Sequence, residues 1–242
     1  GPLLSKPGCK IGGCIMSKLL AKAGRYSVKR PFLYTLLILA ATFMVIPFLW
    51  MVSTSFKVDQ YVLSMPPQFI PRPFTLDSYK QLFALLPINR MFFNSLLVAI
   101  ATTIGQVWVS SFAAYAFARM KFRGQSGLFL LYLATLMIPF QVTIIPLFIL
   151  MRYLDWINSY QGLIAPGVFN AFGTFLLRQF FLSLPRDLEE AAFLDGANHF
   201  TVYWRVIMPL AKPALATLTI FSFMGSWNAF LWPLFIVRNE QL

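Results

Sequence analysis

Apolar residues gather into long runs along this chain. Crossing about 30 Å of hydrocarbon takes about 20 helical residues, and five runs meet that length: 33–52, 92–118, 128–150, 163–182 and 213–237. The first is free of charge, with Pro47 near one end. The later ones are interrupted by polar and helix-bending residues. The second contains Asn94, Thr102, Thr103, Gly105, Gln106, Ser110 and Ser111. The third carries Pro139, Gln141 and Pro146, and the fifth carries Ser222, Gly225, Ser226 and Asn228. Small and hydroxylated residues let helices approach closely and hydrogen-bond within a bundle. Proline bends a span where neighbours satisfy the freed carbonyls. The same side chains also suit a translocation path, and their pattern alone does not separate the two roles. The prediction is an all-α membrane protein, a polytopic helical bundle.

A different grammar governs 184–212. Pro185 suits a first helical turn, where its missing N–H costs nothing. Asp187, Glu189 and Glu190 follow at the positive end of the helix dipole. Gly196 suits the left-handed residue that closes a helix. Asn198 then caps a second short helix over 199–208, stopped by Pro209, and Pro213 opens the fifth span. The segment reads as helix, glycine turn, helix and membrane entry, a rigid element held between two spans.

Composition supports the membrane assignment. Of 242 residues, 58% are hydrophobic and 12% charged, about half the charged share of a soluble domain, which is about 25%. The 26 Phe against 13 Gly and 16 Pro exclude a disordered or fibrous class. The net charge of +12 comes in part from a basic tail, 1–32, in which Lys6, Lys10, Lys18, Lys22, Arg25, Lys29 and Arg30 face no acid. That tail abuts an apolar run, so it reads as attracted to anionic membrane lipid and retained in the cytoplasm, with no nucleic-acid partner. Cys9 and Cys14 lie within it. No apolar stretch precedes them to make a signal peptide, and no histidine lies near them to make a metal site. Residues 1–15 read as a leader ahead of Met16, and 33–242 as one transmembrane domain.

Charge also orients the bundle. With the N-terminus inside, the cytoplasmic segments 1–32, 119–127 and 183–212, together with Arg178, hold 14 of the 20 Lys and Arg. That bias is the positive-inside pattern. Four crossings also return 184–212 to the side on which the chain starts.

With its place and grammar established, the 184–212 segment resembles the EAA loop of ABC-transporter permeases. Glu190-Ala191-Ala192 is followed by three residues, Gly196, nine more, and Val206-Ile207-Met208-Pro209. Other stretches narrow the resemblance. They are Phe56-Lys57, Leu76-Asp77-Ser78-Tyr79, Asn94-Ser95, the run Ala113-Ala114-Tyr115-Ala116-Phe117-Ala118-Arg119, Pro139 with Pro146, Trp227-Asn228 and Trp232-Pro233. Together they resemble the second permease subunit of binding-protein-dependent carbohydrate importers, the maltose and glycerol-3-phosphate type. The resemblance implies the type I ABC importer fold, with five spans visible and a sixth missing at the C-terminus. It implies a bacterial or archaeal cytoplasmic membrane and three partners: a second permease subunit, an ATP-binding cassette ATPase dimer and an extracytoplasmic sugar-binding protein.

The resemblance also assigns roles. Glu190 is expected to pair with a base of the ATPase or of its own loop, Ala191 and Ala192 to allow close approach, and Gly196 to set the angle between two helices ending at Pro209. Phe193 and Tyr203 are candidates for insertion into the ATPase or for packing under the permease's own helices. Candidate path residues are Asn94, Gln141, Asn170 and Asn228. No catalytic or metal-binding residue is expected. The chain has a single histidine, His199, and no phosphate-binding loop, so ATP is used by the partner. A secondary transporter or channel working without an ATPase is the competing class. The scarcity of ionisable residues inside the spans weighs against it, since such residues mark ion pathways.

Overall fold

The computed structural model describes residues 30–238, and among them the regular structure is helical, with no strand. The basic tail up to residue 29, with Cys9, Cys14 and Met16, and the last four positions lie outside the described residues. Two compact units divide the chain at Leu86 and Pro87.

In the first unit, α1 (Arg30–Ser55) runs 26 residues through Pro47, and its apolar side chains are exposed along its length, as on a lipid-facing rod. The short helices α2 (Asp59–Val62) and α3 (Asp77–Leu85) follow. The segment beyond α1 folds back on the helix end. Phe56 stacks on Phe74 with ring centres 4.9 Å apart, and Tyr79 donates to Ser55 Oγ at 2.9 Å. Lys57 is buried beside them, its ammonium 4.1 Å from the centre of the Trp50 ring.

The second unit is built round α4 (Ile88–Arg119), a 32-residue helix whose buried face is small and polar: Ala99, Thr102, Thr103, Gln106, Ser110, Ser111 and Ala114. After it come α5 (Gln125–Ala134) with a 3-10 turn (Thr135–Met137), α6 (Phe140–Tyr153), α7 (Tyr160–Val168) and α8 (Ala171–Ser183). The chain continues through α9 (Asp187–Leu194), α10 (His199–Val202), a π turn (Tyr203–Ile207) and α11 (Met208–Leu210). It ends in α12 (Lys212–Trp227) and α13 (Leu231–Ile236). α4 packs on α7, α8 and α12. The approach of α8 depends on Gly173, where a Cβ would lie 2.7 Å from Ser110 Oγ and 3.0 Å from Leu218 Cδ1. The main apolar core joins Ala114 and Tyr115 of α4, Leu177 and Phe181 of α8, and Val202, Tyr203, Ile207 and Leu218 further on. A second cluster at the junction of α6 and α13 holds Ile144, Met151, Trp232 and Ile236.

Three of the five apolar runs are broken helices. Among the described residues two helices are long and apolar enough to cross a membrane, and up to four spans result if each bent pair is one. The third run bends by 100° between Met137 and Phe140. Pro139 cannot donate to the helix and disfavours helical dihedrals at the residue before it, and Ile138 is extended there. The fourth run opens at Phe169 and Asn170, both extended. Asn170 starts α8 by accepting from Gly173 N at 3.2 Å. The fifth stops at Trp227 and resumes at Leu231. Hydropathy registers how apolar a stretch is, whereas continuity depends on local backbone demands that an average does not see.

Candidate translocation path and coupling segment

The 184–212 segment keeps its expected turn and changes its expected end. α9 carries Asp187, Glu189 and Glu190 in its first turn. Its C-terminus is closed by Ala197 N donating to Ala192 O at 2.9 Å and Gly196 N to Phe193 O at 3.0 Å, the paired closure that needs a left-handed residue. Gly196 supplies it with φ of +82°, and a Cβ there would meet nothing within 4 Å. The requirement is one of conformation, not of space. Asn198 Oδ1 then accepts from Thr201 N at 2.8 Å to open α10. Pro209 does not stop the second helix: it lies inside α11, and the 79° bend falls at Ala211. Proline removes one donor and crowds the carbonyl four residues back. The widened π turn immediately upstream accommodates that crowding, so the helix runs on to Leu210.

Burial divides the segment into inward and outward sides. Glu190 and Ala191 are exposed, Ala192 is half-buried, and Phe193 is 38% exposed with its ring 4.9 Å from that of His199. Tyr203 points inward, 1% exposed, with its hydroxyl 2.7 Å from Ser111 Oγ and its ring stacked on Phe112. Of the two readings open for Tyr203, the structure selects packing under the chain's own helices.

Glu189 is the acid that is buried. Arg119, the last residue of α4, places Nε 2.8 Å from Glu189 Oε1 and donates through Nη2 to the carbonyls of Phe181 at 2.6 Å and Leu184 at 2.9 Å. Burial pushes the Glu189 carboxyl above its usual range, against the opposing pull of Arg119. Arg178 makes a reciprocal contact, donating from Nε to Phe117 O at 3.0 Å while its guanidinium sits 4.1 Å over the Phe129 ring. The C-terminal ends of α4 and α8 are thus each met by a cation from the other, the sign favoured by their dipoles.

A cavity of about 650 Å³ opens among α4, α7, α8, α12 and α13. Its polar wall comprises Thr102, Gln106, Asn170, Ser222, Ser226 and Asn228, and its aromatic wall Phe140, Phe169, Phe172, Phe221, Phe230 and Trp232. No lining residue is charged. Thr102 Oγ1 and Ser222 Oγ are buried without a hydrogen-bond partner among the described residues. Asn228 Nδ2 donates to Met224 O at 2.8 Å, and Trp232 Nε1 to Gly162 O at 2.9 Å.

Of the four candidate path residues, Asn170 and Asn228 are brought together on this wall. Asn94 lies outside the lining, its Oδ1 accepting from Tyr160 OH at 2.8 Å, and Gln141 lies exposed on α6. Thr102, Gln106, Ser222 and Ser226 join the site although the pattern did not separate them from packing residues. Their signal was the spacing: Thr102 with Gln106 and Ser222 with Ser226 are i,i+4 pairs, each on one helix face. Thr103 and Ser111, one position off those faces or a turn further along, spend their hydroxyls on the carbonyls of Ala99 and Trp108 instead.

The profile of the family described as "Binding-protein-dependent transport system inner membrane component" matches residues 106–242, more than half of the chain. The chain belongs to this permease family. The matched stretch holds the whole 184–212 segment and most of the cavity wall. Among its relatives, the arabinooligosaccharides transport system permease protein AraQ of Bacillus subtilis is 38% identical over 71% of this chain and 62% of its own length. The sn-glycerol-3-phosphate transport system permease protein UgpE of Yersinia enterocolitica is 35% identical over 76% and 68%. The diacetylchitobiose uptake system permease protein NgcG of Streptomyces coelicolor is 34% identical over 92% and 74%. The permease thus spans about two thirds of the length of these relatives. Its fold matches a bacterial ABC transporter involved in the import of the acidic polysaccharide alginate, with a TM-score of 0.78 at 25% identity over 98% of this chain and 79% of that one. Family and apolar helices together place the permease in a membrane.

Proposed function

We propose that this permease is a transmembrane subunit of an ATP-driven saccharide importer, forming part of the path in a bacterial or archaeal cytoplasmic membrane with its N-terminus inside. The observation that carries the reading is the cavity. Aromatic faces suit the C–H faces of sugar rings, and amides and hydroxyls suit their hydroxyl groups. Its size falls within the range of about 300–1,000 Å³ usual for small-molecule sites. An uncharged lining favours a neutral glycoside over an anionic one, closer to the cargo named for AraQ and NgcG than to that named for UgpE.

On this reading the chain moves its substrate without transforming it. A second permease subunit completes the path, a sugar-binding protein delivers from outside, and an ATPase dimer uses ATP inside. Exposed Glu190 and Ala191 offer that ATPase a carboxylate and a small surface, and Gly196 fixes how α9 is presented. Asn170 and Asn228 are the candidate path residues that the reading retains.

The test is co-expression with the two neighbouring transporter subunits, co-purification and uptake of a labelled oligosaccharide into proteoliposomes. ATP-dependent uptake that weakens in Gln106→Leu and Asn228→Ala is expected. Flux driven by an ion gradient without an ATPase overturns the reading. The chain's two cysteines both lie in the basic tail, so a membrane-impermeant maleimide reports its side directly. Labelling in inside-out vesicles only is expected.

A further inference from the structure

Resting on the permease reading, we propose that Arg119 and Glu189 are the positioning residues through which movement of the coupling segment reaches the cavity wall. α9 is a short helix with most of its surface in solvent: Asp187, Leu188, Glu190, Ala191, Phe193 and Leu194 are all exposed. Inward, it has half-buried Ala192 and buried Glu189. A helix so slightly rooted in the core would slide over the bundle if it were pushed. The ion pair prevents that. Its side chains are 3% and 9% exposed, and separating them would leave a buried charge without its counterpart, which is far costlier than losing a surface pair.

Arg119 is suited to this task by its shape. A guanidinium is a rigid fork of several donors. Here Nε faces Glu189 while Nη2 serves both Phe181 O and Leu184 O. One side chain therefore joins three elements: the end of α4, the end of α8 and the first turn of α9. A lysine could carry the charge but could not serve all three at once.

α4 is the element that makes the junction useful. It runs unbroken from Ile88 to Arg119, so Gln106 and Thr102 sit about 20–25 Å along the same rod from Arg119, at about 1.5 Å per residue. Both line the cavity. Of the other helices leading from the coupling segment, α12 is set off by the bend at Ala211. α8 is unbroken from Ser183 to Ala171, with Phe172 on the cavity wall, and is itself held at its end by Arg119 through the carbonyls of Phe181 and Leu184. Both unbroken helices that reach the cavity wall from this segment, α4 and α8, are therefore tied to α9 at Arg119. The exposed acid Glu190 faces outward, so the two adjacent glutamates divide the work: one meets the partner, the other holds the permease.

The experiment uses the assembled transporter in proteoliposomes, with uptake and ATP hydrolysis measured on the same preparation. In Glu189→Ala, substrate moved per ATP hydrolysed is expected to fall about tenfold, within the span of an ordinary coupling free energy. Glu189→Gln keeps an acceptor facing Arg119 and is expected to restore most of the ratio. The KM for uptake should hold in both, because neither residue lines the cavity. A wild-type ratio in Glu189→Ala, or uptake and hydrolysis falling together in proportion, overturns the proposal. Should Glu189→Ala fail to assemble, Arg119→Lys decides: a lowered ratio supports the proposal and an unchanged one refutes it. Absence of ATP-dependent uptake in the wild-type complex is a different outcome, and it refutes the permease reading itself.

Discussion

Replacing Gly162 by alanine probes the corner that holds Trp232 against the cavity. Gly162 lies in the first turn of α7, buried, and a Cβ there would collide with the backbone carbonyl oxygen of Trp156. That carbonyl cannot swing aside as a side chain would. It belongs to a turn pinned by Trp156 N donating to Met151 O at 2.9 Å and by Ser159 Oγ donating to the same Trp156 oxygen at 2.7 Å. Ser159 Oγ in turn caps α7 at Gly162 N, and Trp232 Nε1 donates to Gly162 O. Forcing a methyl into a filled site costs about 1–3 kcal/mol. Displacing the turn adds about 1 kcal/mol for the cap and about 1 kcal/mol for the indole hydrogen bond. Alanine recovers up to about 1 kcal/mol of helix propensity. The net loss is about 2–4 kcal/mol, or a melting temperature lower by about 4–16 °C for a chain of this size. Thermal melting of the detergent-purified protein, followed by tryptophan emission, reads it, since Trp156 and Trp232 flank the site. Gly127→Ala is the control: nothing lies within 4 Å of its Cβ, and it is exposed on α5, so a gain of about 0.5–1 kcal/mol is expected. If Gly162→Ala melts at or above wild type while the control behaves as stated, the packing argument for this corner is wrong.

Gly196→Asp places a side chain at φ of +82° in open space, costing about 1–2 kcal/mol of backbone strain and misdirecting α9. Uptake should be abolished while the amount in the membrane fraction, read by immunoblot, is retained; undiminished uptake would show that the turn has no coupling role. The buried Glu189 gives a pH dependence. Its folded-state pKa lies above the ordinary value of 4.5, so the folded state binds the proton more tightly, and the group's contribution to stability is present below that value and lost as pH rises through the folded one. Relative to Glu189→Gln, the wild-type melting temperature should therefore be higher near pH 4.5 than at pH 7. An opposite slope would mean that pairing with Arg119 outweighs burial.

Helical class and membrane environment were legible because they depend on composition and run length, which are properties of neighbours in the chain. So was the turn in the 184–212 segment. Asp187, Glu189 and Glu190 at a helix start, glycine at its end and asparagine before the next helix each act on backbone groups within a few residues, and each stands where expected. Family resemblance reached the same segment through Glu190-Ala191-Ala192 and Gly196, and the family match over 106–242 supports it. The break in the third run was legible too, because Pro139 bends a helix through its own missing donor and the restriction it puts on Ile138.

Tertiary packing decided the rest. Glu189 and Glu190 are chemically alike and adjacent, and nothing local distinguishes them. In a helix they point about 100° apart, and the position of Arg119, seventy residues earlier, determines which of them is buried. Gln106 and Thr102 were one polar pair among several until α7, α8 and α12 packed around α4 and left a cavity on that face. Tyr203 turned inward because Ser111 and Phe112 were there to receive it. The local sequence set which backbone each segment adopts. Which side of each helix meets protein, cavity or solvent was settled only by distant residues arriving at the same place.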